Sequence, residues 1–403
     1  MAFTEMVVKT LSPVHGGYAL AREEGMGVLF VRGALPGEEV RVRIGDRKRD
    51  YAFAEAVEIV VPSPHRVVPP CEVFGECGGC QLQHAAYPYQ LRMKQEILSE
   101  AFRRIGGMDA APGIAPAGEP FGYRYRGQFK TDGLAIGFYA ERSRRLVPVS
   151  RCPLMAEPIN AALPAFRGAD AIAPAGEIHL ATDGGRVAAW LPGVRFDPRV
   201  VERAGGAVSG IMFEDRAWGE ATVTLPLDGL SYAVSPRGFF QANWRMNLSL
   251  AARLAALVGD LRAGRVLDLY AGAGNFALPL ACRCGEVVAV EGEAGSFADL
   301  LRNARENRLG NVRAVKSRVE AFRPSGRYDA VVLDPPRSGL SPKALSLVGR
   351  IAAGTILYVS CNPSTLARDV RSLSDRYDLA SLAMHDFFPN THHVEALAVL
   401  SAR

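Results

Sequence analysis

The sequence contains no apolar run long enough to cross a lipid bilayer, and no charged segment followed by an apolar one at its start. It also contains no internal repeat and no low-complexity tail. Lys and Arg number 47 against 42 Asp and Glu, a net charge of +5, which by itself is weak evidence for a nucleic-acid partner. We therefore expect a cytoplasmic protein that does not associate with membranes.

The seven cysteines are an odd number, which argues against a disulfide framework in a chain without a secretory signal. Clustered or specially placed cysteines are then better explained by metal binding or catalysis. The chain has 403 residues, of which 48% are hydrophobic, enough for two or three domains with their own cores.

The first domain is expected at residues 1–60, where short runs of alternating or β-branched residues are separated by glycine turns. The runs lie at 6–9, 27–32, 39–44 and 54–60. Several short strands in a compact module indicate a small OB-like barrel. On the third run, Arg41 and Arg43 alternate with valines, and an outward row of arginines is suited to a phosphate backbone.

Residues 61–230 are expected to form a central α+β domain that contains a metal cluster. The spacing of apolar residues predicts a helix from Tyr87 to about Ile105. Strands are predicted between Phe121 and Val149, with turns at Gly122, 132–133 and Gly137. Within this segment Arg124 and Arg126 alternate with aromatic residues, which favours contact between the arginines and RNA.

Residues 231–403 show a third pattern, in which short and continuously apolar strands alternate with helical segments such as 296–308. The strands are predicted at 265–269, 287–290, 311–315, 328–333 and 355–360. This alternation is typical of a parallel, doubly wound, Rossmann-like sheet. The chain is thus predicted to be a multidomain α/β protein.

A cofactor site is predicted at the carboxyl ends of these strands. Gly272 and Gly274 follow the first strand and allow the backbone to approach a ligand beside a helix N-terminus. The second strand ends at Glu291, where a carboxylate can bond both hydroxyls of a ribose. The glycine turn is not the three-glycine dinucleotide fingerprint, and the fourth strand ends in Asp334-Pro335-Pro336. Together these features favour S-adenosylmethionine (SAM) over a nicotinamide cofactor.

Cys361 follows the fifth strand at the same edge, and Glu395 precedes the apolar run 396–400. A thiolate that adds to carbon 6 of uracil makes carbon 5 nucleophilic enough to accept a methyl group, and a base then removes the carbon 5 proton. Cys361 and Glu395 are the candidates for these two roles. Two alternatives are an N-methyltransferase, which would leave both residues idle, and a non-catalytic scaffold, which would be expected to have lost them.

A set of cysteines at positions 71, 77 and 80 has glycines between and beside its members, and Cys152 is the natural fourth ligand. Four thiolates can hold zinc or an iron–sulfur cluster, and the spacing does not decide between them. The crowding of glycines mildly favours iron–sulfur. The spacing differs from the Cys-x3-Cys-x2-Cys loop of radical enzymes, so we expect a cluster with a structural or RNA-ordering role.

The segments 240–243, 268–274, 334–337, 360–363 and 391–395 resemble, in content and order, the motifs of the uridine-5 RNA methyltransferases. The resemblance covers nearly the whole chain. It implies that Cys361 is the nucleophile and Glu395 the base, with support from Arg337. It also implies a SAM pocket lined by Gln241, Tyr270, Asn275, Glu291 and Asp334.

The same resemblance implies that the N-terminal barrel is an RNA-binding TRAM domain and that Cys71, Cys77, Cys80 and Cys152 hold a 4Fe–4S cluster. These features favour 23S ribosomal RNA as substrate, with the tRNA T-loop as the alternative, and a monomeric enzyme. The sequence departs from the family at one position: Arg318 stands where Asn or Asp usually contacts the adenine.

Overall fold

The computed structural model describes residues 5–167, 172–173, 175–193, 195–197, 199, 202, 204–214, 216–351 and 353–403. Within these ranges no helix is both long and apolar enough to span a bilayer.

The N-terminal domain is a closed barrel in which the strand order is β1-β2-β3-β5-β4. Alternation directs Leu29, Val31, Val40 and Val42 into its core, where they are fully buried. The OB-like barrel expected from the sequence is therefore confirmed. The strands are β1 (Glu5–Val14), β2 (Tyr18–Glu23), β3 (Gly27–Arg32), β4 (Glu39–Arg47) and β5 (Tyr51–Val61).

The predicted helix is present as α1 (Tyr87–Ala101), which continues into a π-helical turn at Phe102–Gly106. The short strand β6 (Gly113–Ala115) follows and pairs with a strand of the C-terminal sheet. Leu98 and Phe102 lie in the core on one face of that sheet. The chain between 87 and 115 thus packs against the C-terminal part of the protein.

The central region is built on a seven-stranded sheet in the order β15-β14-β12-β11-β7-β8-β9. Two short helical segments, α2 (Glu157–Ala162) and a 3-10 turn (Leu163–Phe166), pack on it. Its strands are β7 (Arg126–Thr131), β8 (Ile136–Tyr139), β9 (Leu146–Pro148), β11 (Gly176–Thr182), β12 (Val187–Trp190), β14 (Gly210–Phe213) and β15 (Arg216–Gly219), with β10 (Ile172–Ala173) and β13 (Arg195–Phe196) paired separately.

The turn predicted at Gly137 is wrong, because Gly137 lies inside β8. A Cβ atom at this position would be 1.9 Å from the carbonyl oxygen of Val147 on the neighbouring strand. The glycine is therefore needed for close approach of two strands rather than for a turn. Gly133, at the predicted turn before it, does lie between β7 and β8 and has a φ of +92°.

The C-terminal part begins with a hairpin and a long helix and continues into an eight-stranded sheet. The sheet order is β20-β19-β18-β21-β22-β24-β23-β6, in which β18 to β22 are mutually parallel and β24 is antiparallel to both its neighbours. The elements are β16 (Val223–Leu227), β17 (Leu230–Val234), α3 (Trp244–Asp260), β18 (Arg265–Leu269), α4 (Ala277–Ala281), β19 (Glu286–Glu291), α5 (Ala294–Glu306), β20 (Val312–Lys316), a 3-10 turn (Val319–Ala321), β21 (Ala330–Leu333), α6 (Pro342–Ile351), β22 (Thr355–Ser360), α7 (Pro363–Leu373), β23 (Tyr377–His385) and β24 (Glu395–Ala402).

This doubly wound sheet confirms the predicted fold class and fixes the location of the site. The first strand, β18, lies between β19 and β21, so the strand order reverses on either side of it. In open α/β sheets a ligand binds at the carboxyl ends of the strands beside such a reversal. The segments after β18, β19, β21 and β22 are those in which the sequence placed its candidate residues.

Candidate active site

The loop after β18 turns on two glycines in the left-handed region, Gly272 at φ +56° and Gly274 at φ +97°. A Cβ at Gly274 would lie 2.9 Å from the side chain of Leu300, so the loop packs tightly against α5. The carboxylate of Glu291, at the end of β19, accepts hydrogen bonds from the amides of Gly272 and Glu293. These bonds fix the loop and the acidic strand end as one unit.

Tyr270 has a φ of +67°, a conformation that a bulky residue adopts only under constraint and that is concentrated at functional sites. It follows β18 directly and is half-buried. Gln241 is buried just before α3. Asn275 exchanges two hydrogen bonds with Asn247 of α3, at 2.7 and 2.8 Å. Asn247 was not identified from the sequence, because nothing in a helical segment signals a partner 28 residues away.

Asp268, which the sequence analysis did not select, is fully buried at the end of β18. Neither of its carboxylate oxygens has a hydrogen-bond partner among the described residues. Burial, together with the nearby charges of Asp334 and Glu291, raises the pKa of Asp268 well above its usual range. A buried carboxyl group without partners, next to a glycine loop, is suited to a ligand that brings donors or positive charge.

The two candidate catalytic residues lie opposite each other. β22 and β24 are antiparallel and pair Ser360 with Ala396 at the end of the ladder. Cys361 directly follows β22 and Glu395 is the first residue of β24, so both lie one position beyond this last pair. Residues directly opposite on antiparallel strands have Cβ atoms about 4.5–5.5 Å apart and point to the same side of the sheet. The fold therefore brings together a thiol and a carboxyl group that are 34 positions apart.

The pKa shifts of Cys361 and Glu395 agree with the strand register, because the charge of Glu395 is among those that act on Cys361. The pKa of Cys361 is raised to about 11, chiefly by burial and then by the charge of Glu395, with a smaller contribution from Asp334, while Arg337 lowers it. The pKa of Glu395 is raised well above its usual range by burial and then by Asp334, again with Arg337 opposing. Burial raises the pKa of Asp334 to about 7. These four residues thus form one electrostatically coupled group.

Arg337 is held in place through its backbone and its side chain. Its carbonyl oxygen accepts a hydrogen bond from the side-chain amide of Asn362, the residue after Cys361, at 3.1 Å. Its guanidinium Nη2 lies 3.2 Å from Nε2 of His393. Burial, with help from Arg337 and His392, strongly lowers the pKa of His393, so the imidazole is neutral and can accept this bond.

The loop 386–394, which leads into Glu395, is anchored by residues far away in the chain. Lys94 of α1 forms a fully buried ion pair with Asp386 at 2.7 Å and also donates to the carbonyl oxygen of Phe388. Gln90 exchanges hydrogen bonds with Asn390, which has a φ of +66°. The backbone amides of residues 81 and 82 donate to the carbonyl oxygen of Asn390. The loop before Glu395 thus contacts both α1 and the segment that contains the clustered cysteines.

The four cysteines expected to form a cluster line one cavity. Among the described residues, no three His, Cys, Asp or Glu side chains lie close enough together to hold a single metal ion. The amide of Gly79 donates to Sγ of Cys77 at 3.4 Å. Nε of Arg124 is buried in the wall of this cavity without a hydrogen-bond partner, and so is the amide of Gln83.

Arg124 and Arg126, which the sequence suggested for contact with RNA, both point towards other parts of the protein. Arg124 faces the cysteine cavity. The guanidinium of Arg126 donates to the carbonyl oxygens of Gly238 and Phe240 and lies 5.2 Å from the Phe240 ring centroid. Both arginines contact other residues of the protein, because their segment lies between the central sheet and the C-terminal part.

Arg318 is exposed and borders Gly292, one residue after Glu291.

A doubly wound sheet with a glycine turn after its first strand, a carboxylate at the end of its second strand and an antiparallel strand, β24, beside β22 is typical of the class of SAM-dependent methyltransferases. The comparisons with known proteins give the family. The family described as tRNA (Uracil-5-)-methyltransferase matches residues 195–327 and 324–403, and the TRAM domain matches residues 5–57.

Two relatives and one solved structure match almost the full length of the chain. The 23S rRNA (uracil(1939)-C(5))-methyltransferase RlmD of Edwardsiella ictaluri is 36% identical over 415 residues, 96% of this chain and 93% of the relative. The protein of the same name from Alkalilimnicola ehrlichii is 34% identical, with coverages of 98% and 96%. The Pyrococcus abyssi tRNA (uracil-54, C5)-methyltransferase, in complex with S-adenosyl-L-homocysteine, has a TM-score of 0.80 and 25% identity, covering 98% of this chain and 99% of its own.

The chain belongs to the tRNA (uracil-5-)-methyltransferase family. It is therefore an enzyme that transfers a methyl group from SAM to carbon 5 of a uridine in RNA, and its N-terminal barrel is a TRAM domain. The family predicted from the sequence motifs is confirmed.

Proposed function

We propose that this enzyme methylates one uridine of 23S ribosomal RNA, with Cys361 as the nucleophile and Glu395 as the base. The observation that carries the mechanism is the strand register, which sets these two residues opposite each other at the edge where the glycine loop lies. The ribosomal substrate is supported by relatives that share the whole length and the TRAM domain and are named for 23S rRNA.

The chemistry follows from the placement of the two groups. The sulfur of Cys361 adds to carbon 6 of uracil as a thiolate, and the electron pair of the 5,6 double bond moves towards oxygen 4 as an enolate. SAM supplies the methyl group that carbon 5 then takes. Glu395 removes the proton from carbon 5, the double bond re-forms and the sulfur leaves. The raised pKa of Glu395 makes its carboxylate a stronger base for this step.

Arg337 has a supporting role in both steps, because its charge favours the ionised forms of both Cys361 and Glu395. Since burial holds the pKa of Cys361 near 11, only a small fraction of the thiol is ionised at neutral pH before RNA binds. A positive charge beside it increases that fraction. The bond from Asn362 to the Arg337 backbone keeps the arginine next to the nucleophile.

For SAM we propose a pocket formed by Gln241, Tyr270, Asn275, Glu291 and Asp334, to which we add Asp268. The fit is supported by the glycine loop, whose backbone can come close to a ligand, and by the buried carboxyl group of Asp268, whose oxygens make no well-formed hydrogen bond among the described residues. Both oxygens of Glu291 keep a free lone pair after bonding the loop amides, so the carboxylate can still accept from a ribose.

For the cysteine cavity we propose a 4Fe–4S cluster held by Cys71, Cys77, Cys80 and Cys152. The four cysteines line one cavity, and the glycines beside them allow backbone amides to reach the sulfides of a cluster. A cluster with four thiolate ligands carries negative charge, and Arg124 offers a cation in the cavity wall, with its Nε free of hydrogen bonds. Iron and acid-labile sulfide in equal amounts after anaerobic purification would support this, and stoichiometric zinc would refute it.

We further propose a cytoplasmic monomer without membrane contact, divided into a TRAM domain (1–60), a central domain with the cluster (61–230) and a methyltransferase domain (231–403).

The test of the proposed function is methylation of transcripts of 23S rRNA and of tRNA by the purified enzyme with labelled SAM, followed by mass mapping of the modified uridine. We expect methylation of the ribosomal transcript. Methylation of tRNA alone would refute the substrate proposed here and favour the T-loop uridine.

A further inference from the structure

Four aromatic side chains form a continuous surface on the outside of the TRAM barrel. They come from three neighbouring strands, and we call them the ring surface: Tyr18 of β2, Phe30 of β3, and Tyr51 and Phe53 of β5. The residues between them, such as Leu29 and Ala52, point inward and are fully buried. The four rings are only partly buried, and neighbouring ring centroids are 5.5–6.3 Å apart.

A cation from another domain lies on this surface. Arg142, in the turn between β8 and β9 of the central sheet, has its guanidinium carbon 4.7 Å from the ring centroid of Phe53 and 5.6 Å from that of Tyr18. It donates a hydrogen bond to the hydroxyl of Tyr18 at 2.6 Å. Arg142 is exposed and has a φ of +54°, so the turn is held in an uncommon conformation. The exposed Arg144 follows in the same turn.

The arginine row that the sequence suggested for phosphate contact is less suited to RNA. Arg41 forms an ion pair with Glu58 at 2.8 Å, and Arg43 forms one with Glu5 at 3.1 Å. Both arginines of that row thus already have an acidic neighbour. The ring surface combines an exposed ring, Tyr51, and three partly exposed ones with the cation of Arg142, a pattern that suits single-stranded nucleic acid.

The ring surface leads directly to the active site. Tyr18 follows Gly17, where a Cβ would lie 2.5 Å from Cβ of Gln81 and 3.6 Å from that of His392. The rings of His392 and His393 are 4.2 Å apart, and His393 contacts Arg337 beside the nucleophile. A nucleic-acid strand lying on the ring surface would therefore pass along the loop that carries the base.

We propose that the ring surface, with Arg142, binds unpaired bases of the RNA next to the target uridine by stacking. The proposal rests on the RNA methyltransferase function, because attack on carbon 6 and removal of a proton from carbon 5 require a uracil that has left its stack. Nucleotides beside an extruded base lose stacking partners, and aromatic faces replace them.

The test compares Phe30→Ala and Phe53→Ala with Phe53→Trp, which keeps an aromatic face. Val7→Ala is the matched control, because Val7 is an exposed apolar residue on another strand of the same barrel. The probe is a fluorescein-labelled transcript of the 23S rRNA segment that contains the uridine named in the relatives, bound to enzyme loaded with S-adenosylhomocysteine. A second transcript carries 2-aminopurine beside that uridine, because its fluorescence is quenched on stacking.

We expect each alanine variant to bind the transcript about tenfold more weakly, to raise KM without lowering kcat at saturating RNA, and to lose quenching of 2-aminopurine. Phe53→Trp and Val7→Ala should bind like the wild type. Unchanged thermal unfolding of the alanine variants would exclude a folding defect.

Binding of both alanine variants within twofold of the wild type would overturn the proposal, as would a tryptophan variant as weak as the alanine one. A change of oligomeric state in the alanine variants with unchanged RNA affinity would also overturn it, because the rings would then serve contact between copies. The proposed function is tested separately: if the wild type binds the transcript with quenching but methylates neither ribosomal RNA nor tRNA, the catalytic assignment fails while the ring surface stands.

Discussion

The raised pKa of Cys361 leads to a quantitative prediction about its reactivity. Iodoacetamide reacts with the thiolate, so the rate of alkylation follows the ionised fraction. With a pKa of about 11, that fraction is on the order of 10⁻⁴ at pH 7 and 10⁻² at pH 9. The rate at Cys361 should therefore rise about tenfold per pH unit from pH 7 to pH 10, whereas an ordinary thiol levels off near pH 9.

The assay is alkylation of the RNA-free enzyme followed by mass spectrometry of the peptide that contains Cys361. Arg337→Gln should slow alkylation further, because the arginine lowers the pKa of the thiol. Arg371→Gln removes a charge from the helix that begins after the nucleophile, where the arginine is exposed, and should leave the rate unchanged. A rate that levels off by pH 9, or equal effects of the two substitutions, would refute the electrostatic description of the site.

Three other substitutions test the contacts that hold the residues of the candidate site in place. Lys94→Met should destabilise the protein by about 3–5 kcal/mol in urea unfolding, because it leaves Asp386 buried without its partner, and adding Asp386→Leu should restore much of the loss. Asn247→Ala should weaken SAM binding several-fold in calorimetry, because Asn275 loses both its bonds; unchanged affinity would argue against a role for Asn275. Gly17→Ala should lower RNA methylation while SAM affinity stays normal, because its Cβ would displace Gln81; normal turnover would contradict this.

The five parallel strands of the C-terminal sheet were predicted from the sequence to within two residues, whereas β6 and β23 of the same sheet were not predicted. The strands 265–269 and 355–360 have the predicted bounds, because buried parallel strands are continuous apolar runs that end at a loop. The strand β2 (Tyr18–Glu23) was missed, since its alanines and charged residues have low β-propensity. The helix at Tyr87 was predicted, but its packing on the C-terminal sheet depends on contacts between residues some 300 positions apart.

In the candidate site, too, features set by the local sequence could be predicted and features set by distant contacts could not. Residues that sit at strand ends, such as Cys361 and Glu291, could be found because the end of a strand is visible in the sequence. Residues that act through partners, such as Asn247 and Asn390, could not be found, because their roles depend on which distant backbone or side chain they meet. Arg126 is an example: an alternating strand does not reveal which of its faces another domain covers.

The most direct test of the catalytic assignment is a denaturing gel of the Glu395→Gln variant incubated with SAM and the 23S rRNA transcript. If a thiol and a carboxyl group act on one uracil ring, the variant adds its sulfur and accepts the methyl group but cannot remove the proton, so RNA stays covalently attached to protein. The double variant Cys361→Ala, Glu395→Gln should show no such band. A Glu395→Gln enzyme that turns over at the normal rate without an adduct, or an adduct that persists without Cys361, would contradict the account.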